Sequence, residues 1–134
     1  MTLRKLDEGI FVAGQIDPAD IAALADGGIA MIVNNRPDGE EPGQPASAEI
    51  ETAAKTAGIA YRHIPVAGLN GEQIAEMVEA LNAADGPVLA FCKSGTRSAY
   101  LWALARARQG ADGDALAAKA GAAGYDLTPI RRFL

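Results

Sequence analysis

The chain has 134 residues, 49% of them hydrophobic, which is enough for one domain, residues 1–134, with its own core. Its formal net charge is −5 and its twelve Lys and Arg residues form no extended run, which argues against a nucleic-acid partner. One cysteine and one histidine are too few for a zinc site, and no other cofactor is predicted. The apolar stretches are too short for a membrane span, so a cytoplasmic location is expected.

The first half of the chain predicts a hairpin, a helix, a buried strand and a second helix. A turn at residues 7–9 is flanked by alternating apolar and polar residues, the pattern of a hairpin. The next helix has Asp17 as its N-cap and Gly27 at its C-terminal stop. The apolar segment 29–33 predicts a buried strand, and a helix over residues 46–57 follows a loop rich in Pro and Gly.

The second half continues the alternation of strands and helices. Asn70 and Gln73 form a capping signal for the helix that precedes the apolar VLAF segment. Strands are predicted over residues 59–66 and 88–91, and helices over residues 70–84, 98–108 and 112–122. A turn at residues 128–129 closes the chain. This alternation predicts an α/β fold of three layers, with helices on both faces of a mostly parallel sheet of four to five strands.

A parallel sheet determines where a functional site lies. The loops that follow its strands gather at the carboxyl edge of the sheet, so we expect residues 35–45, 65–70 and 92–97 to meet there. The loop 92–97, CKSGTR, contains the only cysteine of the chain and starts directly after a predicted buried strand. The sequence therefore predicts the site at this loop.

The residues of this loop suit a nucleophilic thiolate beside an anion. The N-terminus of the following helix and the Arg97 guanidinium both favour the thiolate form of Cys92. Gly95 allows a sharp turn and leaves room for a bound group, and Arg97 can bind two oxygens at once. Ser98 is expected to donate a hydrogen bond to Cys92. A buried, inert cysteine is the alternative, and these combined features outweigh it.

The remaining candidate residues would bind the substrate. Backbone N–H groups of residues 93–97 are expected to form a cradle for an anion, to which Lys93 adds positive potential. Arg36 either binds the anion from the neighbouring loop or braces that loop. His63 lies in a strand and is expected to be structural. The predicted substrate-binding residues are Lys93, Ser94, Gly95, Thr96 and Arg36.

Several segments of the sequence together resemble a known family. CKSGTRS is similar to the loop of Cys-Arg enzymes, which include protein tyrosine phosphatases, dual-specificity phosphatases and rhodaneses. The segments NNRPDGEEPGQP, AGIAYRHIPV, CKSGTRSAYLWALA and AGYDL resemble the phosphatase-like domain family of beta-lactamase hydrolase-like proteins. The resemblance covers nearly the whole chain and implies one catalytic domain with a fold of the dual-specificity phosphatase type.

Two features of the sequence favour sulfur transfer over phosphoryl transfer. Four residues separate Cys92 from Arg97, as in rhodaneses, whereas the loop of the phosphatases is usually one residue longer. The stretch where phosphatases usually place their general-acid Asp contains none. Asp38 is the first candidate for that acid, ahead of Glu40 and Glu41, although solvated loop carboxylates are the commoner case.

The first hypothesis is accordingly a sulfurtransferase that moves sulfane sulfur from thiosulfate or a persulfide through a Cys92 persulfide to a thiol acceptor or cyanide. The alternative is a phosphomonoester hydrolase that acts through a phosphocysteine. A third hypothesis is a noncatalytic module that binds anions. Each implies a small anionic ligand. Cys92, Arg97 and Ser98 would be the catalytic residues in the first two, and Asp38 would add the general acid in the hydrolase.

Overall fold

A computed structural model, which describes all residues from 1 to 134, contains one five-stranded sheet. The strand order is β1-β2-β5-β3-β4, in which β1 is antiparallel to β2 and all other neighbours are parallel. The prediction of a mostly parallel sheet is therefore confirmed. The strands are β1 Arg4–Asp7, β2 Ile10–Ala13, β3 Met31–Asn34, β4 Ala60–His63 and β5 Val88–Phe91.

Helices cover both faces of the sheet and make the predicted three layers. Residues Pro18–Asp20 form a 3-10 turn that leads into α1, and a second 3-10 segment, Thr128–Phe133, closes the chain. The helices are α1 Ile21–Asp26, α2 Ser47–Thr56, α3 Gly71–Ala83, α4 Thr96–Arg108 and α5 Gly113–Ala122. No helix is long and apolar enough to cross a membrane.

The alternation of side chains along β5 explains why the core has two parts. Val88 and Ala90 face α3, α4 and α5, while Leu89 and Phe91 face α1 and α2. All four residues are buried, as expected for a strand at the centre of a parallel sheet. This strand leads directly to Cys92, so the residue that follows it is held against a rigid core.

Some predicted boundaries differ from the structure, and one difference affects the site. The predicted strand 59–66 contains only the four ladder residues of β4, although the backbone N–H groups of Ile64 and Val66 still donate to the carbonyls of Asn34 and Asn35. The helix predicted to start at Ser98 starts at Thr96. Gly95 precedes it in the left-handed conformation at φ +93°, which only glycine adopts readily. Arg97 therefore lies in the first turn of α4, which fixes its backbone.

Candidate active site

The loops that follow β3, β4 and β5 meet at the carboxyl edge of the sheet, as predicted. Arg97, in the first turn of the helix that follows β5, forms an ion pair with Glu40 from the loop after β3. Its Nη1 also donates to the carbonyl oxygen of Val66, after β4, at 2.7 Å. Gln15, which follows β2, joins the same cluster through Arg36. Residues from four strand ends thus surround the Cys92 loop.

Cys92 is enclosed at the end of β5. It is 0% exposed, and its Sγ accepts the backbone N–H of Gly95 at 3.1 Å. The backbone N–H of Cys92 donates to the carbonyl of Ala13 in β2. The first residues of α4 have backbone N–H groups with no acceptor inside the helix, so the positive end of α4 also lies at this loop. The arrangement places a backbone donor and the positive end of a helix at Sγ.

Gly95 has a different steric role from the predicted one. The position that a Cβ would occupy overlaps the hydroxyl of Tyr125 and lies 3.1 Å from its Cζ. The absence of a side chain at Gly95 therefore makes room for Tyr125, which is 9% exposed, and not for a bound group. The Tyr125 hydroxyl is 3.4 Å from the carbonyl oxygen of Ser94. Burial raises the pKa of Tyr125, so its phenol is neutral and can donate that bond.

The other loop residues lie at the rim of the site. Lys93 has a side chain that is 64% exposed and forms an ion pair with Glu41. The Ser94 hydroxyl is 3.1 Å from that of Thr96, the first residue of α4. A Cβ at Gly14 would lie 2.9 Å from the carbonyl oxygen of Lys93, so the end of β2 approaches the loop too closely for a side chain. The backbone at the end of β2 therefore braces the loop from one side.

Arg97 and Glu40 form a bidentate ion pair in front of this loop. Nη1 of Arg97 is 2.8 Å from Oε2 of Glu40, and Nη2 is 2.9 Å from Oε1. Hydrogen bonds from Arg97 and then Arg36 lower the pKa of Glu40 to about 2, so its carboxyl is ionised at neutral pH. The hydrogen bond to Glu40 raises the pKa of Arg97, burial opposes that rise, and the nearby Cys92 raises the pKa further. The Arg97 guanidinium therefore lies beside both Glu40 and Cys92.

Arg36 braces the loop that carries Glu40. Its Nε donates to Oε1 of Glu40 at 2.9 Å, and its Nη1 donates to Gln15 at 2.9 Å. Its side chain is only 4% exposed, and Nη2 makes no hydrogen bond but pairs with Oε1 of Glu41 at 3.5 Å. The carbonyl oxygen of Arg36 lies 3.0 Å from Nε2 of His63, which gives His63 a structural contact. These contacts match the bracing role.

Two predicted catalytic residues have other partners, which corrects their assignments. The Ser98 hydroxyl, expected to donate to Cys92, donates to the Oδ1 of Asn35 at 2.8 Å, because α4 starts two residues early and turns it towards β3. Oδ1 of Asp38 accepts the backbone N–H of Ser47 at 2.7 Å and so caps the start of α2. Glu40, from the same loop, is the carboxylate that reaches Arg97.

Gln15, Asn35 and Tyr125 were not predicted as site residues, and Glu40 was predicted only as a candidate acid after Asp38. Asn35 and Glu40 stand in NNRPDGEE, where composition alone does not show which side chain turns inward. Tyr125 stands in AGYDL, and the family resemblance of that segment was the one available signal. No cluster of three or more His, Cys, Asp or Glu side chains could hold a metal ion.

Comparison with known proteins gives a family for this site. Residues 2–109 match the model of the "Beta-lactamase hydrolase-like protein, phosphatase-like domain". A beta-lactamase hydrolase-like protein of Agrobacterium fabrum is 41% identical over 108 residues, which are 79% of this chain and 25% of the relative. The chain thus spans about a quarter of that curated relative's length.

Solved structures give the same fold. A crystal structure of a candidate phosphatase from Neisseria meningitidis is 36% identical, covers 98% of this chain and 95% of its own, and superposes with a TM-score of 0.85. Pseudomonas aeruginosa TpbA, solved in complex with phosphotyrosine, is 19% identical and has a TM-score of 0.67 over 98% of this chain and 79% of its own. At that identity the likeness to TpbA concerns the fold alone.

Proposed function

This chain belongs to the family of the phosphatase-like domain of beta-lactamase hydrolase-like proteins, and on that premise we propose that it is a cysteine-dependent phosphomonoester hydrolase. The resemblance stated from the sequence is confirmed, as is the fold of the protein tyrosine phosphatase type. The family and the 36% identical candidate phosphatase favour phosphate ester hydrolysis over sulfur transfer, which was the first expectation from the loop length.

One observation carries the proposal. The Sγ of Cys92 accepts the Gly95 amide at 3.1 Å, while Arg97 is fixed in the first turn of the helix that follows. A thiolate, a set of backbone donors and a guanidinium fork therefore surround one small volume. A tetrahedral phosphoryl group needs these three features, because its oxygens carry charge that the donors neutralise while sulfur attacks phosphorus.

The reaction proceeds in two steps. The Cys92 thiolate attacks phosphorus, so an S–P bond forms while the P–O bond to the alcohol breaks. Water then attacks the phosphocysteine, which restores the thiolate and releases inorganic phosphate. Arg97 binds two phosphoryl oxygens, and the amides at the start of α4 bind the third. Cys92 is the nucleophile, whereas Ser98 and Asn35 position the loop.

The leaving oxygen must accept a proton in the first step. Glu40 is the carboxylate beside Arg97, and Arg97 holds its pKa at about 2, so it has no proton to donate while that ion pair lasts. Water supplies the proton in this state. The preferred substrates are therefore esters with acidic leaving groups, such as aryl phosphates, of which phosphotyrosine is one.

Sulfur transfer is the second candidate, because two observations favour it. Only four residues separate Cys92 from Arg97, and the nearest carboxylate is ionised. Attack of the Cys92 thiolate on the outer sulfur of thiosulfate releases sulfite, a stable anion that needs no acid. The resulting persulfide then passes its sulfur to a second thiol or to cyanide.

Two assays on the same protein distinguish the candidates. We expect hydrolysis of p-nitrophenyl phosphate that is abolished in Cys92→Ser and reduced about 100-fold in Arg97→Lys, which keeps the charge but loses the fork. Intact mass after incubation with thiosulfate is expected to show no added sulfur. A persulfide on Cys92 without phosphatase turnover would replace the proposal with sulfur transfer. Failure of both assays, with sulfate still raising the Tm, would leave a noncatalytic anion-binding module.

A further inference from the structure

Arg97 has two N–H groups left for a ligand, and both lie on one edge of its guanidinium. A guanidinium carries five N–H donors in a rigid plane. Nη1 of Arg97 donates to Oε2 of Glu40 at 2.8 Å and to the carbonyl oxygen of Val66 at 2.7 Å, which uses both of its N–H groups. Nη2 donates to Oε1 of Glu40 at 2.9 Å. The N–H of Nε and the second N–H of Nη2 remain, and these two point in parallel from the same edge.

The Nε–Nη2 edge is the part of Arg97 that a substrate oxyanion can use. Two parallel N–H groups match two oxygens of a phosphoryl group, just as Nη1 and Nη2 match the two oxygens of Glu40. Cys92 lies beside this guanidinium, as its effect on the Arg97 pKa shows. An anion bound on this edge therefore leaves Glu40 in place on Arg97.

Glu40 is itself held by buried Arg36. Nε of Arg36 donates to Oε1 of Glu40 at 2.9 Å, the same oxygen that accepts from Nη2 of Arg97. Nη1 of Arg36 donates to Gln15 at 2.9 Å, and its Nη2 lies 3.5 Å from Oε1 of Glu41. Each nitrogen of the Arg36 guanidinium thus has a protein partner within 3.5 Å. Arg36 therefore acts on Glu40 rather than on a substrate.

We propose that Glu40 and Arg36 are positioning residues for the reaction: Arg36 fixes Glu40, and Glu40 fixes the plane of Arg97 so that its Nε–Nη2 edge faces the phosphoryl group. The inference rests on the proposed function only in that the anion is the phosphoryl group of an ester. Without Glu40, the guanidinium would keep one of its three hydrogen bonds, from Nη1 to the carbonyl of Val66. A single bond permits rotation of the plane, so the edge would no longer be set before the substrate binds.

Glu40 has two effects on an anion at Arg97, and they have opposite signs. Its negative charge weakens the attraction of the guanidinium for an anion. Its hold on the fork strengthens binding, because the arginine is already ordered when the anion arrives. Buried Arg36 reduces the first effect, since its Nε shares the Glu40 carboxylate with Arg97. We therefore expect the positioning effect to exceed the charge effect.

Binding of tungstate, measured by calorimetry on the full chain, separates the two effects without catalytic turnover. The amide of Glu40→Gln keeps the side-chain length but has one acceptor oxygen, so it cannot hold both Nη1 and Nη2 of Arg97. We expect about tenfold weaker tungstate binding and a similar fall in kcat/KM for p-nitrophenyl phosphate. Glu41→Gln makes the same charge change beside Lys93 without touching Arg97, so its affinity should equal that of wild type or exceed it by up to about threefold.

A double-mutant cycle tests whether Arg36 acts through the Arg97 fork. Arg36→Lys keeps the charge but has one nitrogen, which cannot serve Glu40 and Gln15 as the two nitrogens of Arg36 do. It should weaken tungstate binding about threefold or more in the wild-type background. In the Arg97→Lys background there is no fork to position, so Arg36→Lys should have almost no further effect. A residue that binds the anion directly would weaken binding equally in both backgrounds.

The outcomes separate this inference from the proposed function. Equal or tighter tungstate binding by Glu40→Gln would overturn it, and so would additive effects of Arg36→Lys and Arg97→Lys or a wild type that binds no tungstate. Circular dichroism verifies the fold, and Arg36→Lys carries the test if Glu40→Gln does not fold. A wild type that binds tungstate without hydrolysing any ester would reject the phosphatase proposal alone.

Discussion

A single methyl group at Gly95 should disturb the Cys92 loop in two separable ways. Gly95→Ala forces a side chain into φ +93°, which costs about 1–2 kcal/mol. The new Cβ also overlaps the Tyr125 hydroxyl, and such overpacking costs a further 1–3 kcal/mol or so. We expect a total loss of about 3 kcal/mol in the free energy of unfolding, measured by urea titration. Ester hydrolysis should fall as well, since the Gly95 amide donates to Cys92.

Gly28 supplies a matched control for the backbone part of this cost. Its φ is +94°, and a Cβ there meets nothing within 4 Å, so Gly28→Ala should lose only about 1–2 kcal/mol. Tyr125→Phe removes the hydroxyl that a Cβ at Gly95 would overlap. The double variant of Gly95→Ala and Tyr125→Phe should therefore lose about 1 kcal/mol less stability than the two single variants lose together. Equal losses for Gly95→Ala and Gly28→Ala, together with an additive cycle, would refute the role assigned to Tyr125.

Three further predictions concern the polar groups around the site. Ser98→Ala leaves the side-chain oxygen of buried Asn35 without a donor and should lower the free energy of unfolding in urea by about 1–3 kcal/mol. Unchanged stability together with lost turnover would instead favour a bond from Ser98 to Cys92. Asp38→Ala removes a cap of α2 and should lower the free energy of unfolding by about 1 kcal/mol. A fall in kcat with unchanged stability would instead indicate that Asp38 is the general acid. Arg97 lowers the pKa of Glu40 from 4.5 to about 2, so the ion pair stabilises the wild type relative to Glu40→Gln. This difference in the free energy of unfolding should be complete above pH 4.5 and should disappear as the pH falls towards 2. Acid unfolding followed by circular dichroism checks this, and a constant difference between the two proteins would contradict it.

The fold was predictable from sequence because each element has a strong local signal. Continuous apolar segments such as VLAF occur in buried parallel strands, and Asn70 with Gln73 forms the capping box that begins α3. The position of Cys92 after β5 followed from the same pattern. The start of α4 was predicted two residues late, because Ser98 resembles a cap whereas Gly95 begins the helix through its positive φ.

The partners of the site residues were not predictable in the same way. The contact between Gly95 and Tyr125 joins residues thirty positions apart, and no periodicity links them. The loop after β3 contains Asp38, Glu40 and Glu41, three carboxylates within four residues, and their order alone does not show which one faces Arg97. Tertiary contacts decide that choice, and a single sequence does not display them.

Asn35 fixes the start of the loop that carries Glu40 to Arg97. Its backbone N–H donates to Phe91 at the end of β5, its side-chain amide donates to the carbonyl of Ile64, and its Oδ1 accepts from Ser98 in α4. This one buried residue fixes the start of the Glu40 loop relative to β4, β5 and α4 together. Asp38 is itself held at α2, and it is Glu40, two residues further along the same loop, that reaches the fork. The site charge is therefore set by the same buried polar contacts that hold the sheet edge, so a change at Asn35 should alter anion affinity as well as stability.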